Sequence, residues 1–244
     1  MSCHCCGAEY VEIMEDVYKC VICSHIHRNF TGNSIEYHQN QYRKDERRTS
    51  DEISEDGVIK EKFHKNREKI VSNRVKIIQE YITKDMECLD IGAGAGTFAR
   101  KLSEISKNVE CTELDINLIN ECRNLGFKTY TKDFLKINFD KKYDFVSAWH
   151  VLEHVDNIQI FVDKLSKVSK NLVCIEIPLL QALDGTGRTR KLVSPNVGKY
   201  DGHAHYFCKE SFINLFKEKF DILEIKEGVQ TPALFSMMRV KNDD

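Results

Sequence analysis

Three acids and three glycines carry the first chemical signal in this chain. The stretch "CLDIGAGAGTFARKL", residues 88–102, ends an apolar run in Asp90 and follows it with Gly92, Gly94 and Gly96. Glu113 and Asp133 close the next two apolar runs, in "NVECTEL" and "TKDF". A dinucleotide fingerprint would read G-x-G-x-x-G and seat a pyrophosphate on a helix start. Here the spacing is G-x-G-x-G, with a carboxylate two residues ahead. At about 4 Å and a surface-like dielectric, that carboxylate repels a phosphate by roughly 4 kcal/mol. It favours a cationic ligand instead. S-adenosylmethionine, with its ammonium and sulfonium and no phosphate, meets that requirement. The glycines let backbone approach it closely. Glu113 can accept hydrogen bonds from two ribose hydroxyls, and Asp133 from an adenine amino group with Phe134 beside the ring.

A second chemical signal lies in the first 27 residues. Cys3-x2-Cys6 is followed by Cys20-x2-Cys23. Each pair can form a tight knuckle, and four thiolates make a closed tetrahedral zinc site with no position open to substrate. Such a short segment has too little core to fold without a staple. The two symmetric pairs are the preferred ligands. Cys5 can compete with Cys3 or Cys6, and His25 or His27 can replace Cys23.

The third signal is a set of histidines. His150 directly follows Trp149 at the end of a strand-like run and should face a ligand crevice, with Trp149 among the cofactor-binding residues. His203 and His205 stand in "YDGHAHYF" after a long polar loop, 179–200. Loops of that length tend to cover ligands. The two histidines flank one alanine, so an extended segment would turn both to one side. A histidine suits proton removal near neutral pH. His203 is the expected base, with His205 and His150 shaping the acceptor pocket. Arg188, Arg190 and Lys191 on the same loop can hold an anion.

The elements that must position these groups alternate. "MECLDI", "NVECTEL", "FKTYT", "YDFVSAW" and "NLVCIEI" read as strands, and "TFARKLSEI" and "INLINECRNLG" as helices. The pattern predicts an α/β fold with a doubly wound, mostly parallel sheet whose ligand crevice lies at the strands' carboxyl ends. "YVEIMEDVYK" predicts a hairpin between the cysteine knuckles. Thirteen of the twenty residues 43–62 are charged, which suits a solvated linker. Phe63, Ile70, Ile77, Ile78 and Tyr81 recur at helical spacing beyond it and predict a docking helix. The expected division is a zinc-binding module over 1–42, a charged linker and docking helix over 43–82, and the main domain over 83–244.

Bulk composition narrows the partners. Lys and Arg number 36 against 38 Asp and Glu, a net charge of −2. Positive residues are interleaved with acids, which argues against a nucleic-acid face. No apolar run reaches the ~18 residues of a membrane helix. "MSCHCC" has no basic region leading into an apolar stretch, so no signal peptide is expected and the cytoplasm is the expected compartment.

"LDIGAGAG", "TELD", "KDF" and "YDFVSAWHVLEHV" together resemble the successive motifs of class I S-adenosylmethionine-dependent methyltransferases, in the branch with ubiquinone-type and sugar methyltransferases. The resemblance implies a seven-stranded, Rossmann-like sheet closed by an antiparallel hairpin, supplied here by "FDILEIKEG" and "ALFSMMRVK". A second resemblance is to nucleotide-sugar C-methyltransferases, which carry a Tyr-x-Glu-His-x-x-Tyr-Phe-like segment. It implies His203 as base and Tyr200 as its tyrosine partner. Gly202 replaces the glutamate. Carbon methylation needs enolisation, whereas oxygen methylation needs only loss of a hydroxyl proton, so an oxygen acceptor is expected. The implied acceptor is a small sugar-like, phosphorylated or nucleotide-linked precursor of a surface polysaccharide or capsule. The alternatives are carbon methylation of a nucleotide-linked keto-sugar and methylation of ribosomal or transfer RNA.

Overall fold

The structure is a computed structural model and describes residues 1–29, 61–179, 203–227 and 233–241. Tyr200, Arg188, Arg190, Lys191 and the charged run from 43 to 60 lie outside the described residues.

Seven strands form the main sheet: β4 (Glu87–Ile91), β5 (Asn108–Thr112), β6 (Lys128–Tyr130), β7 (Tyr143–Trp149), β8 (Ser169–Pro178), β10 (Phe220–Glu227) and β11 (Ala233–Val240). Their order is β10-β11-β8-β7-β4-β5-β6. Pairing is parallel between β4 and β5, β5 and β6, and β7 and β8. It is antiparallel where β11 meets β8 and β10. This is the doubly wound sheet that the alternating pattern predicts, with the closing hairpin that the methyltransferase resemblance implies. The central strands β4, β7 and β8 are largely buried, which is why they read as continuous apolar runs, whereas the edge strand β6 is partly exposed.

The chain divides into two compact units, 1–34 with 139–244, and 35–138. In the second unit, helix α1 (Glu61–Ile78) turns Val71 and Ile78 into the core. It packs on α2 (Thr97–Leu102), where Arg100 pairs with Glu68. Helix α3 (Ile116–Asn124) starts at Asp115, whose carboxylate accepts from the Asn117 and Leu118 amides. An acid in that place is an ordinary helix cap.

In the first unit, α4 (Ile158–Val168) buries Ile158, Phe161, Val162 and Leu165. Helix α5 (Lys209–Phe216) buries Phe212 and Phe216. A second, four-stranded sheet has the order β1-β2-β3-β9. Its first three strands are β1 (Tyr10–Met14), β2 (Val17–Cys20) and β3 (Ile26–Arg28). The hairpin expected between the knuckles is β1 and β2. The fourth strand, β9 (His205–Tyr206), comes from far along the chain and pairs antiparallel with β3. Tyr206 completes a small apolar cluster with Val17, Ile26 and Met14.

Candidate cofactor, thiol and histidine sites

The carboxyl ends of β4, β5 and β6 carry the acids and glycines. Asp90 is fully buried on β4. Gly94 and Gly96 have φ of +59° and +71°, a region that penalises any side chain. A Cβ at Gly94 would meet nothing within 4 Å. A Cβ at Gly96 would press on Leu125 Cδ1 at 3.1 Å and Cys122 Sγ at 3.2 Å. The two glycines thus differ in purpose: Gly94 leaves open space where a ligand can approach, and Gly96 lets the loop sit against α3. The Gly92 amide donates to Thr112 Oγ1 at 3.1 Å, which ties the loop to β5.

Glu113 is held by three backbone amides. Its Oε2 accepts from Gly94 N at 2.8 Å, and its Oε1 from Leu114 N at 2.7 Å and Asp115 N at 3.0 Å. A carboxylate offers about four acceptor sites. One therefore remains for a ribose hydroxyl, and acceptance from both hydroxyls requires the Gly94 amide to let go. The sequence shows the acid but not this latch. Asp133 caps the short 3-10 turn Phe134–Lys136 through Leu135 N at 3.0 Å, with Phe134 buried beside it. The open space at Gly94 and the pinned Glu113 fit the nucleoside and amino-acid ends of S-adenosylmethionine. In the other unit, Trp149 ends β7 and stacks on Phe235, ring centroids 6.3 Å apart.

At the amino terminus, Cys3, Cys6, Cys20 and Cys23 bring their four sulfurs within 4.8 Å of one another. Cys3 and Cys23 are 3.6 Å apart, and Cys6 and Cys20 3.5 Å. A tetrahedral zinc with Zn–S of about 2.3 Å sets S–S edges of about 3.8 Å, so this set fits zinc closely. Backbone amides of Ile22 and Cys23 point at Cys20 Sγ, each at 3.4 Å, and that of Cys5 at Cys3 Sγ at 3.4 Å. Such donors favour thiolate over thiol, although at Cys20 burial outweighs them and pushes the thiol up. Cys3, Cys5 and His25 form an overlapping set with the same 4.8 Å spread.

The histidines occupy three different settings. His150 has φ of +56°, a conformation that costs about 1–3 kcal/mol in a non-glycine residue. Its Nδ1 contacts Glu153 Oε1 at 3.2 Å and its Nε2 contacts Glu176 Oε1 at 3.1 Å. Both carboxylates are buried, while the His150 side chain is 38% exposed. Burial opposes charge on His150, but the hydrogen bonds with Glu153 and Glu176 outweigh it and lift its pKa to about 9. Burial raises Glu153, but its bond to His150 and nearby imidazoles bring it down to about 2. His150 is thus an imidazolium at neutral pH. With both nitrogens donating, it has no lone pair to take a proton and serves as a fixed cation between two acids.

That pairing makes stability depend on pH with a definite sign. His150 rises from 6.5, so its contribution is full below about 6.5 and fades as pH climbs through about 9. Glu153 falls from 4.5, so its contribution is full above about 4.5 and fades toward about 2. Partial exposure and salt screening limit the size. Replacing His150 with Gln should lower the melting temperature most between about pH 4.5 and 6.5, with the gap narrowing from about pH 6.5 and closing by about pH 9. A gap that is constant across pH 4 to 10 in paired thermal melts would contradict the ion-pair assignment.

His203 and His205 do not share a set of neighbours. His203 meets His154 edge-on at 4.7 Å, and His203, His154 and Glu153 bring one nitrogen or oxygen each within 4.8 Å. The Ala204 amide donates to the Glu153 carbonyl at 2.8 Å and holds the segment in place. His205 is turned away into the amino-terminal sheet, 1% exposed, and stacks on His25 and His27. The same-side expectation required an extended segment throughout, but the strand begins only at His205. Glu153 and Glu176 went unread because a lone acid in "LEH" or "IEI" looks like any solvated acid.

Residues 63–220 match the family model described as a methyltransferase domain. The ubiquinone biosynthesis O-methyltransferase of Dictyostelium discoideum is 27% identical over 150 residues, covering 50% of this chain and 47% of that protein. A ubiquinone biosynthesis O-methyltransferase of Rickettsia bellii is 34% identical over 93 residues, covering 34% of this chain and 37% of that protein. The chain spans less than half the length of these curated relatives. Among solved structures, magnesium protoporphyrin IX methyltransferase of Synechocystis, determined with bound S-adenosylmethionine, superposes with a TM-score of 0.61 at 12% identity. That likeness covers 87% of this chain and all of the other, and it shows a common fold.

Proposed function

The chain belongs to the methyltransferase-domain family, and from that premise we propose that it moves the methyl group of S-adenosylmethionine to a hydroxyl of a small acceptor. The observation that carries this reading is the ordered series at the ends of β4, β5 and β6: Asp90, the open glycine turn, the amide-pinned Glu113 and Asp133. The oxygen acceptor is supported by the names of the curated relatives, which are O-methyltransferases. Bound S-adenosylmethionine supplies an activated methyl group. The protein's own work is then to place the acceptor in line, exclude water and accept one proton.

His203 is the base in this reading. Glu153 Oε2 is buried without a hydrogen-bond partner, and the His203 imidazole stands within 4.8 Å of that carboxylate. A carboxylate so placed orients the ring and stabilises the imidazolium formed when a hydroxyl proton arrives. Tyr200 is proposed to complete the pocket on sequence grounds. The four-cysteine set is proposed to hold one structural zinc.

Whether the hydroxyl belongs to a phosphorylated sugar or to a phenol is decided by experiment. Incubating the enzyme with methyl-labelled S-adenosylmethionine and separate pools of nucleotide sugars and of hydroxylated aromatics should label one pool by one methyl per product. Label that maps to carbon or nitrogen in the product would overturn the oxygen assignment.

A further inference from the structure

Beside the four-thiol set, we infer that His4, His27 and His205 form a second site for a divalent transition metal, with a coordination position left for water or another small ligand. One ring nitrogen from each lies within 4.8 Å of the other two. The sheet itself creates the pairing: His27 and His205 are direct partners across β3 and β9. Opposed residues on antiparallel strands carry their side chains on one face. Their ring centroids are 4.9 Å apart, and His4 closes the group at 4.7 Å from His27 and 5.6 Å from His205.

The nitrogens are short of partners in a place that normally demands them. His4 Nδ1, His27 Nδ1 and both nitrogens of His205 are buried and have no partner at ordinary hydrogen-bond distance among the described residues, with the Asp156 backbone close to His205 and the Ala204 backbone close to His27. Leaving such buried groups unpaired is costly. A metal would satisfy three at once. His27 is already arranged for it: Nε2 bonds Asn29 Oδ1 at 3.0 Å, so Nε2 carries the proton and Nδ1 presents its lone pair inward. That outer bond is the usual way a metal-binding histidine is oriented. Zinc with Zn–N of about 2.0–2.1 Å sets N–N edges of about 3.3 Å, which small ring rotations reach from this spread. Imidazole ligands suit zinc, copper, nickel and iron.

Three protein ligands leave a tetrahedral ion one position short, which distinguishes this site from the closed four-thiol one. His4 is only half-buried and gives that position an outlet. The ion would also brace the existing pairing of β9 with β3. His203, two residues before His205, would thereby be held beside Glu153. His205 is then a metal ligand and a positioning residue, not part of the acceptor pocket.

Metal content of the full-length protein, loaded with zinc and dialysed, tests this. About two zinc ions per chain are expected, one for each ligand set. His205→Ala and the half-buried His4→Ala should each retain about one. Cobalt substitution provides a check that does not depend on variant folding. The wild type should show intense thiolate-to-cobalt bands and, on further titration, a separate set of weaker bands with no sulfur charge transfer. One zinc per chain in wild type and in His4→Ala, with thiolate bands alone, would overturn the histidine site and leave the four-thiol reading standing. Loss of the thiolate bands, with the sulfur-free bands kept, would overturn the four-thiol reading alone.

Discussion

His203→Ala should lower turnover by about 10²–10⁴, the usual range for loss of a general base, while cofactor affinity should stay at the wild-type value. The effect is confined to turnover because His203 belongs to the group with Glu153 and His154, not to the acids at the ends of β4, β5 and β6. His150 cannot substitute, since both its nitrogens are engaged by Glu153 and Glu176 and its pKa stands at about 9. Glu153→Gln should cost less, because it removes the orienting charge and leaves the imidazole. Single-turnover kinetics with the labelled acceptor, alongside cofactor calorimetry, separate the two effects. Wild-type turnover in His203→Ala would place the base elsewhere.

Cys20→Ser should empty the proposed four-thiol zinc site and unravel the amino-terminal sheet, leaving the main sheet folded. The scale is large because apparent zinc binding at structural thiolate sites is about 10–16 kcal/mol, and that energy is folding energy. The sheet that depends on it is small: its apolar cluster is Val17, Ile26, Tyr206 and Met14. Hydrogen exchange should show protection lost over residues 1–28 and at 205–206, with β7 and β8 unchanged. Zinc content should fall by about two per chain, because the His4, His27 and His205 set lies in the same sheet. Full retention of zinc in this variant would move the ligand set to Cys3, Cys5 and His25.

Much of the main sheet was legible in sequence because buried strands and turns leave local marks. β7 runs from Tyr143 to Trp149, the same seven residues the apolar run outlines. The glycine turn was readable because its positive φ values admit few other residues. β9 left no such mark. Two residues have no periodicity, and their pairing with β3 is a contact between distant parts of the chain. For that reason His205 read as a pocket residue, although it lies in the amino-terminal sheet. The pairing of His150 with two buried acids was hidden in the same way, since Glu176 is reached only across β7 and β8. His4 was the one signal within reach: a third histidine in the segment that carries His25, His27 and the cysteines.

Calorimetry of the wild-type protein with S-adenosylmethionine and with NAD is the most direct test of the cofactor assignment. S-adenosylmethionine should bind at one site, and Glu113→Ala should weaken it by about 1–3 kcal/mol, the scale of lost hydrogen bonds to a charged group. NAD should give no heat, because its pyrophosphate meets the Asp90 carboxylate. Binding of NAD with none of S-adenosylmethionine would contradict the assignment.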